Sequence, residues 1–303
     1  MNQDTRNERI SASIALPGTC GELVQGTLDG VPCLVSCPID RYSVAEVELR
    51  SEAYWDAPCD APKAAAALRA GLNYLEQPAL GGRLRLNSDL PRGRGYASST
   101  ADVGAALFAL GEALDRPLKS AEVAQLAVSV EPSDSTVYPG LAMFDHRQGS
   151  FHRDLGPAPP LAVIVLDSGG KIDTIDFNRR DYATVLRTLG RQHLEAFDLL
   201  STGLVHNDWG SIGEAATLSA RVHQAILRHP LLERALSLAQ EVGAVGVCRA
   251  HSGTILGVLL DPGRIDVQAA TAFLRHAFDC EAAVSSYQVV DGGPRKEIET
   301  ECR

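Results

Sequence analysis

The chain has 303 residues, 45% of them hydrophobic and 22% charged, as expected for a soluble globular protein with a full core. Its formal net charge of -10 disfavours binding to nucleic acid or to an anionic membrane. No apolar run reaches the roughly 18 residues of a membrane span, and the polar N-terminus is unlike a signal peptide. The seven cysteines are irregularly spaced, which favours a reducing cytoplasm over a disulfide framework.

The first half of the chain contains both strand and helix patterns. Polar and apolar residues alternate over Ser43–Leu49 and over Gly82–Asn87, which predicts two half-buried strands. Apolar residues recur at helical spacing over Ala61–Leu75, Ser98–Leu114 and Ser120–Ser129, which predicts three helices.

A proline-rich segment, Gly156–Pro160, divides the chain near its midpoint. Its three prolines suit neither a helix nor an inner strand, so we predict domains at 1–157 and 158–303. The elements predicted after it are strand Leu161–Leu166, helices Asp181–Leu200, Ser211–Leu227 and Leu231–Val242, and strand Ile255–Leu260. Because strands and helices do not alternate regularly, the pattern favours a two-domain α+β protein. We expect the charged tail from Pro294 to fray.

One loop has the composition of a phosphate-binding site. Leu90–Asp102 reads LPRGRGYASSTAD, so Gly93 and Gly95 come directly before a predicted helix. Glycines allow close backbone approach, and a helix N-terminus offers free N–H groups to an anion. The hydroxyls of Ser98–Thr100 stand at the same end, and such oxygens are suitable Mg²⁺ ligands. The alternative is an ordinary glycine turn with a Ser/Thr helix cap.

At this loop the chain resembles the GHMP kinases, whose phosphate loop reads P-x-x-x-G-L-x-S-S-A. Pro91, Gly95 and Ala97–Ser99 occupy the matching places, Tyr96 replaces the usual leucine, and Thr100 precedes the alanine, Ala101. Further segments resemble other family motifs in the same order along the chain: Pro17–Leu23, Gly213–Ala216 and Ala250–Thr254.

Two stretches are similar to one branch of that family, the L-threonine kinases of cobalamin biosynthesis. They are Ala97–Asp102 (ASSTAD) and Glu131–Thr136 (EPSDST). The resemblance implies ATP-dependent phosphorylation of L-threonine to L-threonine O-3-phosphate, a precursor of the aminopropanol linker of cobalamin. Three alternatives stay open: a kinase for homoserine or another small amino alcohol, a decarboxylase of the same fold, and a non-catalytic binding protein.

The resemblance also implies a fold and a set of site residues. The N-terminal domain would resemble ribosomal protein S5 domain 2, the C-terminal domain would be ferredoxin-like, and the active site would lie between them. The cofactors would be ATP and Mg²⁺. The residues implied for the ATP phosphates are Pro91, Gly93, Arg94, Gly95, Tyr96, Ala97, Ser98, Ser99 and Thr100.

The same resemblance assigns three roles in the reaction. Ser99 and Glu131 would bind the metal, although Glu131 also fits a surface position at a helix end. Asp134 would be the base or would orient the acceptor hydroxyl, with Asp145 as a substitute and an Asx cap as the structural alternative. The residues expected to face the acceptor are Thr19, Glu22, Ser252 and Gly253. A glutamate suits an α-ammonium group, whereas Arg41 is only a guess for the carboxylate, and His251 is expected to be structural rather than a base.

Overall fold

The structure is a computed structural model and describes residues 11–170 and 182–296. Its strands pair into one mixed sheet in the order β10-β7-β9-β8-β1-β2-β4-β3, with β5 joining β2 to β6. The strands are β1 Ser11–Leu28, β2 Val31–Arg50, β3 Trp55–Asp56, β4 Gly81–Ser88, β5 Leu141–Phe144, β6 His152–Gly156, β7 Ala162–Asp167, β8 Gly246–Arg249, β9 Ile255–Leu260 and β10 Ala283–Gln288.

The helices cover the sheet and supply most of the core. They are α1 Pro62–Tyr74, α2 Ser98–Ala113, α3 Ser120–Val130, α4 Ala183–Thr188, α5 Gly190–His206, α6 Trp209–His223, α7 Leu232–Glu241 and α8 Val267–Ala277. Helix α2 is buried on nearly every side, between α1, α3 and the long strands β1 and β2. None of these helices, within the part of the chain that the structure describes, is both long and apolar enough to cross a bilayer.

The first two strands form a long antiparallel hairpin. Asp29 and Gly30 connect them with positive φ values of 50° and 83°, a two-residue turn that suits the twist of a hairpin. The pairing shifts register between Pro17 and Val24, and Gly21 has φ +60° in that stretch. Such bulges bend a strand and redirect its side chains, and they place Glu22 at the point where β1 also pairs with Arg249 of β8.

The two halves of the chain meet at this β1–β8 contact. Strands from the first half occupy one side of the sheet, and strands from the second half occupy the other. After β10 the chain returns to the first half, where Val289 pairs with Ile39 and Arg295 pairs with Ala15. The frayed tail predicted from Pro294 is therefore wrong as far as Lys296, because backbone hydrogen bonds join Arg295 and Ala15 in both directions.

The single helix expected over Asp181–Leu200 is interrupted in the structure. Asp181 lies outside the described residues, and the remainder forms α4 and α5, which meet between Thr188 and Gly190. The helix expected from Ser211 begins earlier, at Trp209, because the Asp208 side chain accepts hydrogen bonds from the backbone of Gly210 and Ser211. It also ends earlier, at His223.

Candidate active site

The glycine-rich loop leads directly into helix α2. Gly93, Gly95 and Ala97 have φ values of +71°, +101° and +54°, so the backbone turns sharply before the helix begins at Ser98. Neither Ser98 nor another side chain caps this helix, which leaves its first N–H groups facing the cavity described below. The loop therefore has the form of an anion site rather than of a Ser/Thr cap.

Two neighbouring segments hold the loop in place. On one side, the backbone N–H of Gly21 and the hydroxyl of Thr19 donate to the Gly95 carbonyl, at 3.2 and 3.1 Å. On the other side, Thr254 donates to the Arg94 carbonyl at 2.8 Å, and a Cβ on Gly253 would lie 2.2 Å from that oxygen. Thr19 and Gly253, expected to face the acceptor, therefore support the phosphate loop from behind.

The side chains of Ser99, Glu131 and Lys63 meet at the start of α2. The Ser99 hydroxyl donates to one oxygen of Glu131, and the Lys63 ammonium of α1 donates to the other. Glu131 is only 6% exposed, which excludes the surface helix-end alternative. A carboxylate and a hydroxyl in contact are the hard oxygen donors that Mg²⁺ prefers, so these residues fit a magnesium site.

Asp134 is a second carboxylate that contacts the first turn of α2, through Thr100. Its carboxylate accepts from the Thr100 hydroxyl at 3.1 Å, and it makes no capping bond to the short 3-10 turn that follows. The Asx-cap alternative is therefore excluded. Asp145, the substitute base, instead binds the backbone of its own loop at Arg147 and Ser150 and does not line the cavity.

Glu22 and Asp134 form a buried pair of carboxyl groups. Glu22 is 3% exposed, and its Oε2 has no hydrogen-bond partner among the described residues. Burial, followed by the charge of Asp134, raises the pKa of Glu22 well above its usual value. Burial also raises the pKa of Asp134, although hydrogen bonds from Glu22 and Thr100 oppose that shift. The pair therefore favours one shared proton, and it would attract a cation.

These groups line one cavity of about 410 Å³. It joins most of the expected site residues: Glu22, Gly93, Gly95, Tyr96, Ala97, Ser98, Ser99, Thr100, Glu131, Asp134 and Ser252. Pro91 and Arg94 lie outside the lining, because the Arg94 guanidinium pairs with Asp167 at 2.9 Å. Arg41 also lies outside it and donates to the hydroxyl of Tyr287.

The lining residues that were missed from the sequence include Lys63, Leu34 and His146. Lys63 carried a weak signal, since it is a single cation at the start of an alanine-rich helix. His146 follows β5 and reaches the site only because β5 pairs with β2. Local patterns do not reveal such long-range placement.

The sheet topology and the glycine loop before α2 define the GHMP kinase fold, and comparison with known proteins agrees. The family description "GHMP kinases N terminal domain" matches residues 61–141, and "GHMP kinases C terminal" matches residues 200–278. The chain belongs to the GHMP kinase family, it has that family's two-domain α+β fold, and it is a small-molecule kinase.

Individual relatives are similar over most of their length. The L-threonine kinase of Salmonella typhimurium is 35% identical over 83% of this chain and 83% of its own. The L-threonine kinase of Citrobacter freundii is also 35% identical, over 83% of this chain and 87% of its own. The crystal structure of homoserine kinase from Cytophaga hutchinsonii superposes with a TM-score of 0.74 at 16% identity, over 97% of this chain and 99% of the other.

Proposed function

We propose that the protein transfers the γ-phosphoryl group of ATP to the hydroxyl of L-threonine, giving L-threonine O-3-phosphate. The observation that carries this proposal is the buried Glu22–Asp134 pair beside the phosphate loop. It provides a negative site for an ammonium group within reach of a base for the hydroxyl. Similarity to two L-threonine kinases supports threonine as the amino-acid acceptor.

The phosphate end of the cavity would hold ATP. The loop from Gly93 to Ala97 and the free N–H groups of α2 would cradle the phosphates. Ser99 and Glu131 would hold Mg²⁺, which when bound neutralises charge on the transferred phosphoryl group. Lys63 adds a positive charge at the same place and fixes the orientation of Glu131.

The acceptor end would orient the amino acid. The Oε2 oxygen of Glu22 lacks a partner among the described residues, and an α-ammonium group would supply three N–H donors to it and to Asp134. The positive charge of the ammonium favours the ionised form of both carboxyl groups. Asp134 would then accept the hydroxyl proton as the oxygen attacks phosphorus, and Thr100 holds the Asp134 carboxylate in position.

The biological setting follows from the branch resemblance alone. We propose that the product is the precursor of the aminopropanol linker of cobalamin and that the reaction takes place in the cytoplasm. Homoserine is the second candidate acceptor, because it carries the same ammonium and carboxylate groups and the fold superposes on a homoserine kinase.

The test is ADP release from Mg-ATP with the purified protein and, separately, L-threonine, L-homoserine, L-serine and mevalonate. Phosphorus NMR identifies each product, and carbon dioxide release is measured in parallel to detect a decarboxylase. An Asp134→Asn variant, whose kcat should fall about 10²- to 10⁴-fold, is the control for contaminating kinases. A phosphate monoester formed preferentially from L-threonine supports the proposal, whereas preferential turnover of another acceptor refutes it.

A further inference from the structure

Two histidine rings form part of the cavity wall near Glu22. His146 follows β5, His251 lies between β8 and β9, and their ring centroids are 4.8 Å apart at an interplanar angle of 66°. His146 is 3% exposed, and neither of its ring nitrogens has a hydrogen-bond partner among the described residues. A buried polar group without a partner is costly, so the arrangement calls for a polar ligand at this wall.

The charge of the surroundings indicates that this ligand is an anion. Burial, followed by the charge of Arg147, lowers the pKa of His146 to about 3, while the nearby carbonyl of Pro32 opposes the shift. The ring is therefore neutral at physiological pH and has one N–H, which can serve either the Pro32 carbonyl or a ligand but not both. Arg147 also acts electrostatically on His251, and its own Nε is buried without a hydrogen-bond partner. The positive charge of Arg147 thus acts on both rings.

The other cationic side chains that line the cavity already form ion pairs with carboxylates. Within the described lining, these are Lys63, which pairs with Glu131, and Arg92, which pairs with Asp102 at 3.0 Å and with Asp60 at 3.6 Å. An amino acid bound with its ammonium at Glu22 must place its carboxylate elsewhere, and no lining cation is available without breaking an ion pair.

Resting on the proposed function, we propose that His146 donates a hydrogen bond to the α-carboxylate of the acceptor. This contact would make the site specific for a zwitterionic α-amino acid over a simple amino alcohol. Glu22 and Asp134 attract the ammonium group of such a molecule. His146, on which the charge of Arg147 acts, attracts its carboxylate. The acceptor is then held at both ends with its hydroxyl at Asp134.

The test compares L-threonine with (R)-1-amino-2-propanol, which has the same ammonium, hydroxyl and methyl groups but hydrogen in place of the carboxylate. His146→Phe removes both ring nitrogens and keeps a planar ring against His251. We expect its kcat/KM for L-threonine to fall roughly 10- to 100-fold, mainly through KM, as for a lost hydrogen bond to a charged group. Its kcat/KM for the amino alcohol and its KM for ATP should change less than about threefold.

A second variant separates the contact from a packing effect. His146→Gln keeps an N–H donor, so its loss with L-threonine should be smaller than that of His146→Phe; thermal unfolding checks that both variants fold. Where His146→Phe does not fold, His146→Leu replaces it. Equal losses with both acceptors, or no loss with L-threonine, would overturn the role of His146. A wild-type protein that turns over other acceptors but not L-threonine would refute the proposed function itself.

Discussion

The most informative single perturbation is Glu22→Gln, because it should stabilise the protein while impairing its activity. Glu22 is 3% exposed, and one carboxylate oxygen has no hydrogen-bond partner among the described residues. Burial and then the charge of Asp134 raise its pKa. A buried, poorly satisfied polar group costs about 1–3 kcal/mol, and an ionised group costs more. Glutamine has nearly the same shape and carries no charge to desolvate.

The stability gain should depend on pH in a defined direction. Because the folded-state pKa of Glu22 lies above the unfolded-state value, wild-type stability falls as pH rises from the unfolded pKa towards the folded one. Below that window Glu22 is protonated in both states, so the wild type and Glu22→Gln should be about equally stable. Above it, Glu22→Gln should be more stable by about 1–3 kcal/mol, or about 2–4 °C in Tm per kcal/mol.

Calorimetric unfolding from about pH 3.5, below the unfolded-state pKa of a glutamate, to about pH 8.5 measures the stability effect, and steady-state kinetics near neutral pH measure the effect on activity. Loss of the ammonium partner should raise KM for L-threonine roughly 10- to 100-fold. Glu46→Gln is the control: Glu46 is on neighbouring β2, 43% exposed and paired with Arg85, and its removal should change stability by less than about 0.5 kcal/mol. A Glu22→Gln variant less stable than wild type at the upper pH would refute this account of Glu22.

Three further outcomes are expected. Asp134→Asn should lower kcat by about 10²- to 10⁴-fold, as for a lost general base, and should leave KM for ATP nearly unchanged; a kcat close to wild type would remove Asp134 from catalysis. Glu131→Gln should raise the Mg²⁺ concentration that gives half-maximal rate by about tenfold or more in a titration at fixed ATP, and an unchanged titration would contradict the metal role. Gly213→Ala should destabilise the protein by about 3 kcal/mol in urea unfolding, since its Cβ would lie 1.9 Å from the Val245 carbonyl oxygen, whereas Gly210→Ala, with its nearest contact at 3.2 Å, should cost less than about 1 kcal/mol.

Elements with a strong local pattern could be predicted from the sequence. Strand β9 has the predicted bounds, Ile255–Leu260, and α2 ends one residue before the predicted Leu114. Helix α8 was missed although it carried a signal: Asp266 caps it, and Ala270, Leu274 and Phe278 recur along one face. Strand β1 was missed for a physical reason, because its bulges interrupt the two-residue alternation that identifies a strand.

The residues of the site also differ in how well the sequence predicts their contacts. Ser99 and Glu131, 32 positions apart, are in contact, as expected of two residues assigned to one metal. Thr100 and Asp134, 34 positions apart, are also in contact, which the sequence analysis did not predict. Glu22 was expected from its motif, but its buried pairing with Asp134 depends on the register shifts of β1. His146 has no local signal, since its place in the wall depends on β5 pairing with β2. Sequence motifs therefore describe backbone geometry better than they describe side chains brought together by the sheet.

The difference between backbone and side-chain contacts affects how a protein of this fold could change its acceptor. The phosphate end is built from backbone: Gly95 is held on one side by Thr19 and Gly21, and Arg94 on the other by Thr254, so few substitutions are tolerated there. The proposed acceptor end is built from side chains on separate strands and loops, including Glu22 and His146, so a substitution there can change the charge of the site. If the proposed contacts of Glu22 and His146 hold, these two positions are the first at which to alter the choice of acceptor in this chain.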